Sequence, residues 1–109
     1  MTKKDIISKI KSIALTSSKF KIGETGMTLE KRLSLYPDFK KIKMIAWSRD
    51  KNTIDKLESE MNKYFIDWKN NDNKKTGSAG EMAENSDKYI LYVVYVEKKK
   101  LKTIKGVRV

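Results

Sequence analysis

A strongly β-prone run of aromatic and branched apolar residues at 89–96 (YILYVVYV) constrains the fold of this chain more than any other segment. A charged turn at 97–100 (EKKK) and a second run at 101–109 follow it, and this pattern predicts a C-terminal β-hairpin over 89–109. Alternation along the first run predicts one sheet face made of Tyr89, Leu91, Val93 and Tyr95. The chain is therefore expected to contain a sheet that includes its C-terminal part.

Five further elements are predicted upstream of this hairpin from the spacing of apolar residues and from capping residues. In chain order they are an amphipathic helix over 3–15, a strand over 19–23, a short helix from the N-cap Thr28 to Pro37, a strand over 41–48 and a helix from about 52 to 70. A length of 109 residues suffices for one modest core but not for two. This order predicts an α+β fold: a small, mainly antiparallel sheet with flanking helices, in a single domain over 1–109.

The last of these helices carries a continuous apolar stripe that begins after an Asn52/Thr53 cap. Its members are Ile54, Leu57, Met61, Tyr64, Phe65 and Trp68. With roughly 100° per residue, Glu58 lies about 60° from the centre of the stripe, and Glu60 lies about 100° from it on the other flank. Glu58 is therefore predicted to project closer to the sheet, whereas Asn62 is predicted to lie outside the stripe and to tolerate a charge.

The segment 69–88 (KNNDNKKTGSAGEMAENSDK) contains almost no large apolar side chain and includes Gly77 and Gly80. Such a composition cannot contribute much to a core, and long loops of this kind are disproportionately functional. We therefore predict a long mobile loop over 69–88.

The chain has no Cys and no His. This absence excludes disulfides, thiolate or imidazole metal sites, and catalysis by a His base or a Cys nucleophile. Any metal ion has to be bound by oxygen, which favours Mg²⁺, Mn²⁺ or Ca²⁺. No apolar run approaches the roughly 20 residues that span a bilayer, so we expect a soluble, intracellular protein of the cytoplasm without a membrane partner.

The net charge of +11 results from 25 Lys and Arg residues against 14 Asp and Glu residues. A field of this sign attracts polyanions, and a strongly basic small domain is typical of nucleic-acid binders. All but three of the 25 cations are lysines, which suit phosphate contacts better than the reading of bases. The alternatives are a solvated lysine-rich surface and a surface that binds an acidic protein partner.

A set of short motifs follows in a fixed order between residues 19 and 65. A predicted strand ends in KIG at 21–23, Thr25 follows, and Arg32 lies within EKRL at 30–33; a second strand then precedes a helix with LE at 57–58. The order and spacing of these motifs resemble the GIY-YIG nuclease superfamily, in the phage-type variant whose second motif is KIG-x-T. The resemblance implies a GIY-YIG-like core over 19–70.

The resemblance implies a DNA endonuclease that depends on Mg²⁺ or Mn²⁺, in which Arg32 polarises the phosphate and Glu58 holds the metal. Lys21 replaces the tyrosine of the second motif and is the candidate base, a role that requires a deprotonated amine. The strand and tyrosine of the first motif should fall near 12–18, where no tyrosine is present. Two alternatives remain: the strand at 89–95 supplies them in a rearranged topology, or its tyrosines only line a sheet.

The candidate residues for nucleic-acid binding are Lys19, Lys21, Thr25, Lys31, Arg32 and Arg49. Aromatic side chains that could stack on unpaired bases are Trp47, Trp68, Tyr36 and Tyr92, although most of them are expected in the core. Alternatively, Arg32 is a solvated helix residue and Glu58 forms an ion pair with it or with a nearby lysine. The same scaffold then serves as a DNA-binding module without catalysis, or as an interaction or inhibitor module of a phage or mobile element.

Overall fold

The computed structural model describes residues 2–73 and 87–98. Over these residues the chain forms three helices and three strands, as the α+β prediction requires. In chain order they are α1 (Lys3–Leu15), β1 (Ser17–Thr25), α2 (Leu29–Leu33), β2 (Lys41–Ser48), α3 (Lys51–Tyr64) and β3 (Tyr89–Glu97). No helix among the described residues is long and apolar enough to cross a membrane.

The three strands form one antiparallel sheet in the order β1-β3-β2. The C-terminal strand β3 is thus central and has a hydrogen-bonded neighbour on each side. The first strand of the predicted hairpin is β3, and it lies between β1 and β2. The second run of that hairpin, 101–109, lies outside the described residues. An apolar run with so few polar side chains suits a central strand, because both of its faces are covered.

Each face of the sheet has its own apolar cluster. The α3 face, covered by α1 and α3, buries alternate residues of β3 against Phe20 and Ile22 of β1. As predicted, the β3 residues on this side are Tyr89, Leu91, Val93 and the partly buried Tyr95. The opposite α2 face buries Ile90, Tyr92 and Val94 beneath α2 and the segment that follows it.

Each helix begins after a residue whose side chain caps its N-terminus. In α1, Thr2 and Asp5 form a reciprocal capping box, and in α2 the predicted N-cap Thr28 accepts from a backbone N–H. The prediction for α3 is wrong by two residues, since Asp50 is its N-cap rather than Asn52 or Thr53. The helix ends at Tyr64 instead of near residue 70, because the backbone tightens into turns from Phe65 onward.

The buried face of α3 is rotated relative to the predicted stripe. Asn62 is fully buried, whereas Tyr64 is 49% exposed and Leu57 is only partly buried. Glu58, predicted at the border of the stripe, is 4% exposed and lies on the buried face. The buried residues face the sheet, whereas the side of α3 toward α1, where Glu60 pairs with Lys3, stays partly open to solvent.

The segment after α3 begins as an ordered edge rather than as a mobile loop. Asn71 forms a parallel bridge with Phe20, and the side chain of Asn73 accepts from Ile22 N–H (2.7 Å) and donates to Ile22 C=O (3.2 Å). Asn70 also donates to backbone carbonyls of α1 and β1. The predicted loop 69–88 therefore starts with residues bound to the outer edge of β1, and its part 74–86 lies outside the described residues.

Candidate functional site

The α2 face of β1 carries a row of polar and small residues. Because Gly23 is paired with Tyr92, the residues of β1 that share its face project to the same side as Tyr92. This row contains Lys19, Lys21, Gly23 and Thr25. Since β1 is an outer strand, these lysines lie near the margin of the α2 face and remain partly exposed.

Tyr92 is the fully buried centre of this site. Arg32 Nε–H donates to Tyr92 Oη at 3.0 Å, and the hydroxyls of Tyr92 and Tyr36 share a hydrogen bond of 2.7 Å. A Cβ atom at Gly23 would lie 2.6 Å from Tyr92 Cζ and closer still to its hydroxyl. Glycine in the KIG motif therefore makes the space in which this hydroxyl meets Arg32.

The environment fixes the protonation states of this pair. Burial raises the pKa of the Tyr92 hydroxyl well above its ordinary value, and the hydrogen bond with Tyr36 adds to the rise. Burial alone would lower the pKa of Arg32, but the hydrogen bond and charge interactions with Tyr92 and Tyr36 outweigh it and raise that pKa. At neutral pH a neutral phenol therefore holds a permanent cation in place.

Two lysines join Arg32 over the aromatic rings. Lys21 Nζ lies 5.6 Å from the ring centroid of Tyr36, and Lys19 Nζ lies 4.8 Å from that of Phe39. The guanidinium carbon of Arg32 lies 5.8 Å from the Tyr36 centroid. Within residues 2–73 and 87–98, none of these three cations is in an ion pair. We call Lys19, Lys21 and Arg32 the cationic cluster.

The other predicted nucleic-acid contacts lie around this cluster in different ways. Lys31 is exposed on α2, next to Arg32. Thr25 is buried, and its hydroxyl accepts from Met27 N–H, so it shapes the turn after β1. Arg49 is exposed directly after β2, and the strand register puts it at the same end of the sheet as Thr25.

Glu58 belongs to the opposite side of the sheet. Its carboxylate accepts from Asn62 Nδ2 at 3.3 Å among residues of the α3 face, and the contacts of Arg32 with Tyr92 and Tyr36 do not include it. Asp55 lies one turn before Glu58 on α3. A hydrogen bond with the buried Glu24 and the contact with Lys51 lower the pKa of Asp55. The competitor Glu60 forms an ion pair of 2.7 Å with Lys3.

A metal ion does not match the donors beside Arg32. Mg²⁺ and Mn²⁺ require oxygen ligands that reach the ion, and Glu58 is buried among residues of the α3 face. The described part of the chain contains no group of three or more His, Cys, Asp or Glu residues that could hold a metal. The described side chains around Arg32 are therefore cations and phenols rather than carboxylates.

The structure brings the predicted Arg32, Lys19 and Lys21 to one face of the sheet. Beside them lie Tyr36 and Tyr92, for which the sequence suggested only stacking or core positions and not hydrogen bonds around Arg32. The alternation that assigned Tyr89 and Tyr95 to one face also assigns Tyr92 to the other, which is the face of Lys21, Gly23 and α2. What could not be read was the pairing of Gly23 with Tyr92, since 69 residues separate them in the chain (92 − 23 = 69). Comparisons of the sequence with known protein families, with curated proteins and with solved structures give no match.

Proposed function

We propose that this protein binds nucleic acid, and that the cationic cluster is the centre of its phosphate-binding surface. The observation that supports the proposal is the gathering of three cations over Tyr36 and Phe39 on the α2 face, none of them in an ion pair with another described residue. The net charge of +11 adds a long-range attraction for polyanions. Phosphate contacts of this kind provide affinity with little dependence on base sequence.

Arg32 is the residue with the most defined geometry in this proposal. Its Nε is bound to Tyr92 and the guanidinium also interacts with Tyr36, so the group is held in a fixed direction from which its outer N–H groups can meet phosphate oxygens. Lys19 and Lys21 are flexible point charges that neutralise neighbouring phosphates without a required geometry. One oriented arginine with two adaptable lysines suits a repeated polyanion better than a single small anion.

The experiment is a salt titration of DNA binding by charge-neutralising variants. The wild type is expected to bind with an affinity that falls linearly, in logarithms, with salt concentration. Lys21→Gln and Arg32→Gln should each reduce the slope by about 1. Lys41→Gln is the matched control, because it removes the same charge from a lysine already paired with Glu97 at 2.7 Å.

Two outcomes contradict the binding proposal. In the first, Lys41→Gln changes the slope as much as Lys21→Gln does, so that only the total charge matters. In the second, the wild type binds no nucleic acid at about 50 mM salt, the low end of such comparisons. The second result makes an acidic protein surface the partner to test next.

A second candidate function is the endonuclease activity that the resemblance implies. The observation in its favour is the position of β3 beside β1, with Tyr92 opposite Gly23 and hydrogen-bonded to Arg32. This arrangement supports the alternative in which the C-terminal strand supplies the strand and the tyrosine that the region 12–18 lacks. Arg32 would then stabilise the negative charge that develops on a phosphate during cleavage.

The raised pKa of Tyr92 limits its part in such a reaction. A buried phenol that stays protonated at neutral pH positions Arg32 and cannot itself take a proton from water. Lys21 is the remaining candidate base, since its amine projects from β1 toward the same cluster. Since the donors beside Arg32 do not match a metal, no step is assigned to Mg²⁺ or Mn²⁺.

Plasmid nicking tests the endonuclease proposal, with Mg²⁺, with Mn²⁺ and with a chelator. Arg32→Ala should abolish cleavage while the Glu60→Ala control leaves it intact. Loss of metal-dependent cleavage in Glu58→Gln, with the fold preserved, would assign the metal to Glu58 in spite of its burial. A wild type that never nicks DNA eliminates the enzyme and leaves the binding proposal standing.

A further inference from the structure

Trp47 is an exposed aromatic ring on the same face as the cationic cluster. It is paired with Ile90 across the sheet, and Ile90 belongs to the α2 face with Tyr92. The ring is 52% exposed, although large aromatic side chains of a small domain are usually needed in the core. Met44, the preceding β2 residue on this face, is also exposed.

One basic side chain lies against this ring, and a second follows the tryptophan two residues later in the chain. Lys88 Nζ lies 5.4 Å from the Trp47 ring centroid. Arg49 follows Ser48, whose partner in β3 is Tyr89, the residue next to Lys88. The nearby carboxylate of Asp50 is occupied as the N-cap of α3, where it accepts from Asn52 N–H and from the Thr53 hydroxyl.

We propose that Trp47, with Lys88 and Arg49, is a stacking site for an unpaired base, and that the protein prefers single-stranded to double-stranded nucleic acid. The inference rests on the proposed function and adds the class of nucleic acid to it. Trp47 is paired with Ile90 of β3, and Gly23 is paired with Tyr92, two residues further along β3. Two residues along the strand and two strand spacings across the sheet put Trp47 and Gly23 roughly 12 Å apart. One strand can therefore place phosphates on the cationic cluster and a base on Trp47.

The combination of ring and cations favours a base over an apolar protein surface. Stacking needs an accessible base face, which a single strand offers at every nucleotide and a continuous duplex hides between neighbouring pairs. A lysine amine beside the ring attracts the phosphate of the stacked nucleotide, whereas it would have to be desolvated in an apolar protein interface.

The test measures the affinity of the full chain for three probes: a dT12 strand, an abasic strand of equal length, and a 12-base-pair duplex. The first retains bases and phosphates, the second has phosphates alone, and the third hides its base faces. Trp47→Ala should weaken dT12 binding about 5-fold to 100-fold, which corresponds to the loss of one stacked base. It should change the binding of the other two probes less than about twofold. Trp47→Phe should retain most of the affinity for dT12, because its ring still stacks.

Tyr64→Ala is the matched control, since it removes an exposed aromatic ring from α3 on the opposite face. Trp47 fluorescence gives a second measurement: dT12 should quench the wild type and leave Trp47→Phe, which keeps only the partly buried Trp68, unchanged. Equal losses for dT12 and duplex, or no loss for either, would overturn the stacking site while the proposed function stands. Failure of the wild type to bind any probe would overturn both.

Discussion

At the scale of single residues, Asn62 shows why a buried polar group has to be located in three dimensions. Its side chain is fully buried and donates to Glu58 at 3.3 Å, whereas the apolar side chain of Leu57 on the same helix is only partly buried. A carboxylate at position 62 would lose this donor and place a second acidic group against Glu58. Polar residues inside an amphipathic helix therefore decide the tolerance to substitution as strongly as the apolar stripe does.

We predict that Asn62→Asp destabilises the protein by about 3 kcal/mol or more, because it buries an uncompensated charge. Leu57→Asp should cost less, about 1–2 kcal/mol, since that side chain reaches water. Urea unfolding at pH 7 measures both values. The Asn62→Asp variant should also recover stability at acidic pH, where its carboxyl becomes neutral and can donate to Glu58. The opposite ranking of the two variants would contradict the buried face of α3.

Tyr92 predicts a distinct loss of stability at alkaline pH. The folded state holds the pKa of Tyr92 above the unfolded value of about 10, so the unfolded chain loses this proton first as the pH rises. The contribution of this phenol is complete below about pH 10 and then decreases by about 1.4 kcal/mol per pH unit. The difference in unfolding free energy between wild type and Tyr92→Phe should therefore shrink from pH 9.5 to about 11. A difference independent of pH would contradict the buried neutral phenol.

At the scale of the elements, local signals sufficed for α1 and β2 and failed where distant parts meet. The spacing of apolar residues predicted α1 at 3–15 and β2 at 41–48 with the bounds that the structure has. The central position of β3 could not be predicted, because sequence neighbours favour a hairpin while the neighbours of β3 in the sheet come from 17–25 and 41–48. A β-bulge between Met44 and Ala46 likewise breaks the simple alternation of β2.

The edge of β1 provides a prediction at this scale. Asn73 satisfies both backbone groups of Ile22 with one side-chain amide and so takes the place of a fourth strand at that point. Asn73→Ala should lower stability by about 1–2 kcal/mol, the contribution of two hydrogen bonds. The Ile22 amide should then exchange its hydrogen faster. The exposed Asn52, mutated to Ala, is the control, and unchanged exchange at Ile22 would contradict the role of Asn73.

At the scale of the whole molecule, we expect the net charge to give folding and the proposed nucleic-acid binding opposite responses to salt. Cations outnumber acidic groups over the chain as a whole, so compaction brings like charges together, while the same excess attracts phosphates. Binding should therefore weaken as salt screens the attraction, and the folded state should become more stable as salt screens the repulsion. A cluster that binds an anion adds a local effect, because the ligand stabilises only the folded state.

The prediction is that NaCl, raised from about 20 to 300 mM, increases the unfolding free energy by on the order of 1 kcal/mol, as the Debye length falls from about 20 to 6 Å. Sodium phosphate at the same ionic strength should stabilise the wild type further, because its anion occupies the cationic cluster. Arg32→Gln should lose this additional stabilisation, and Lys41→Gln, whose lysine is paired with Glu97, should retain it. Urea unfolding in NaCl and in sodium phosphate measures the effect for the wild type and for both variants. If phosphate stabilises both variants equally, its effect depends on the total charge of the protein. The assignment of phosphate binding to Arg32 would then be wrong.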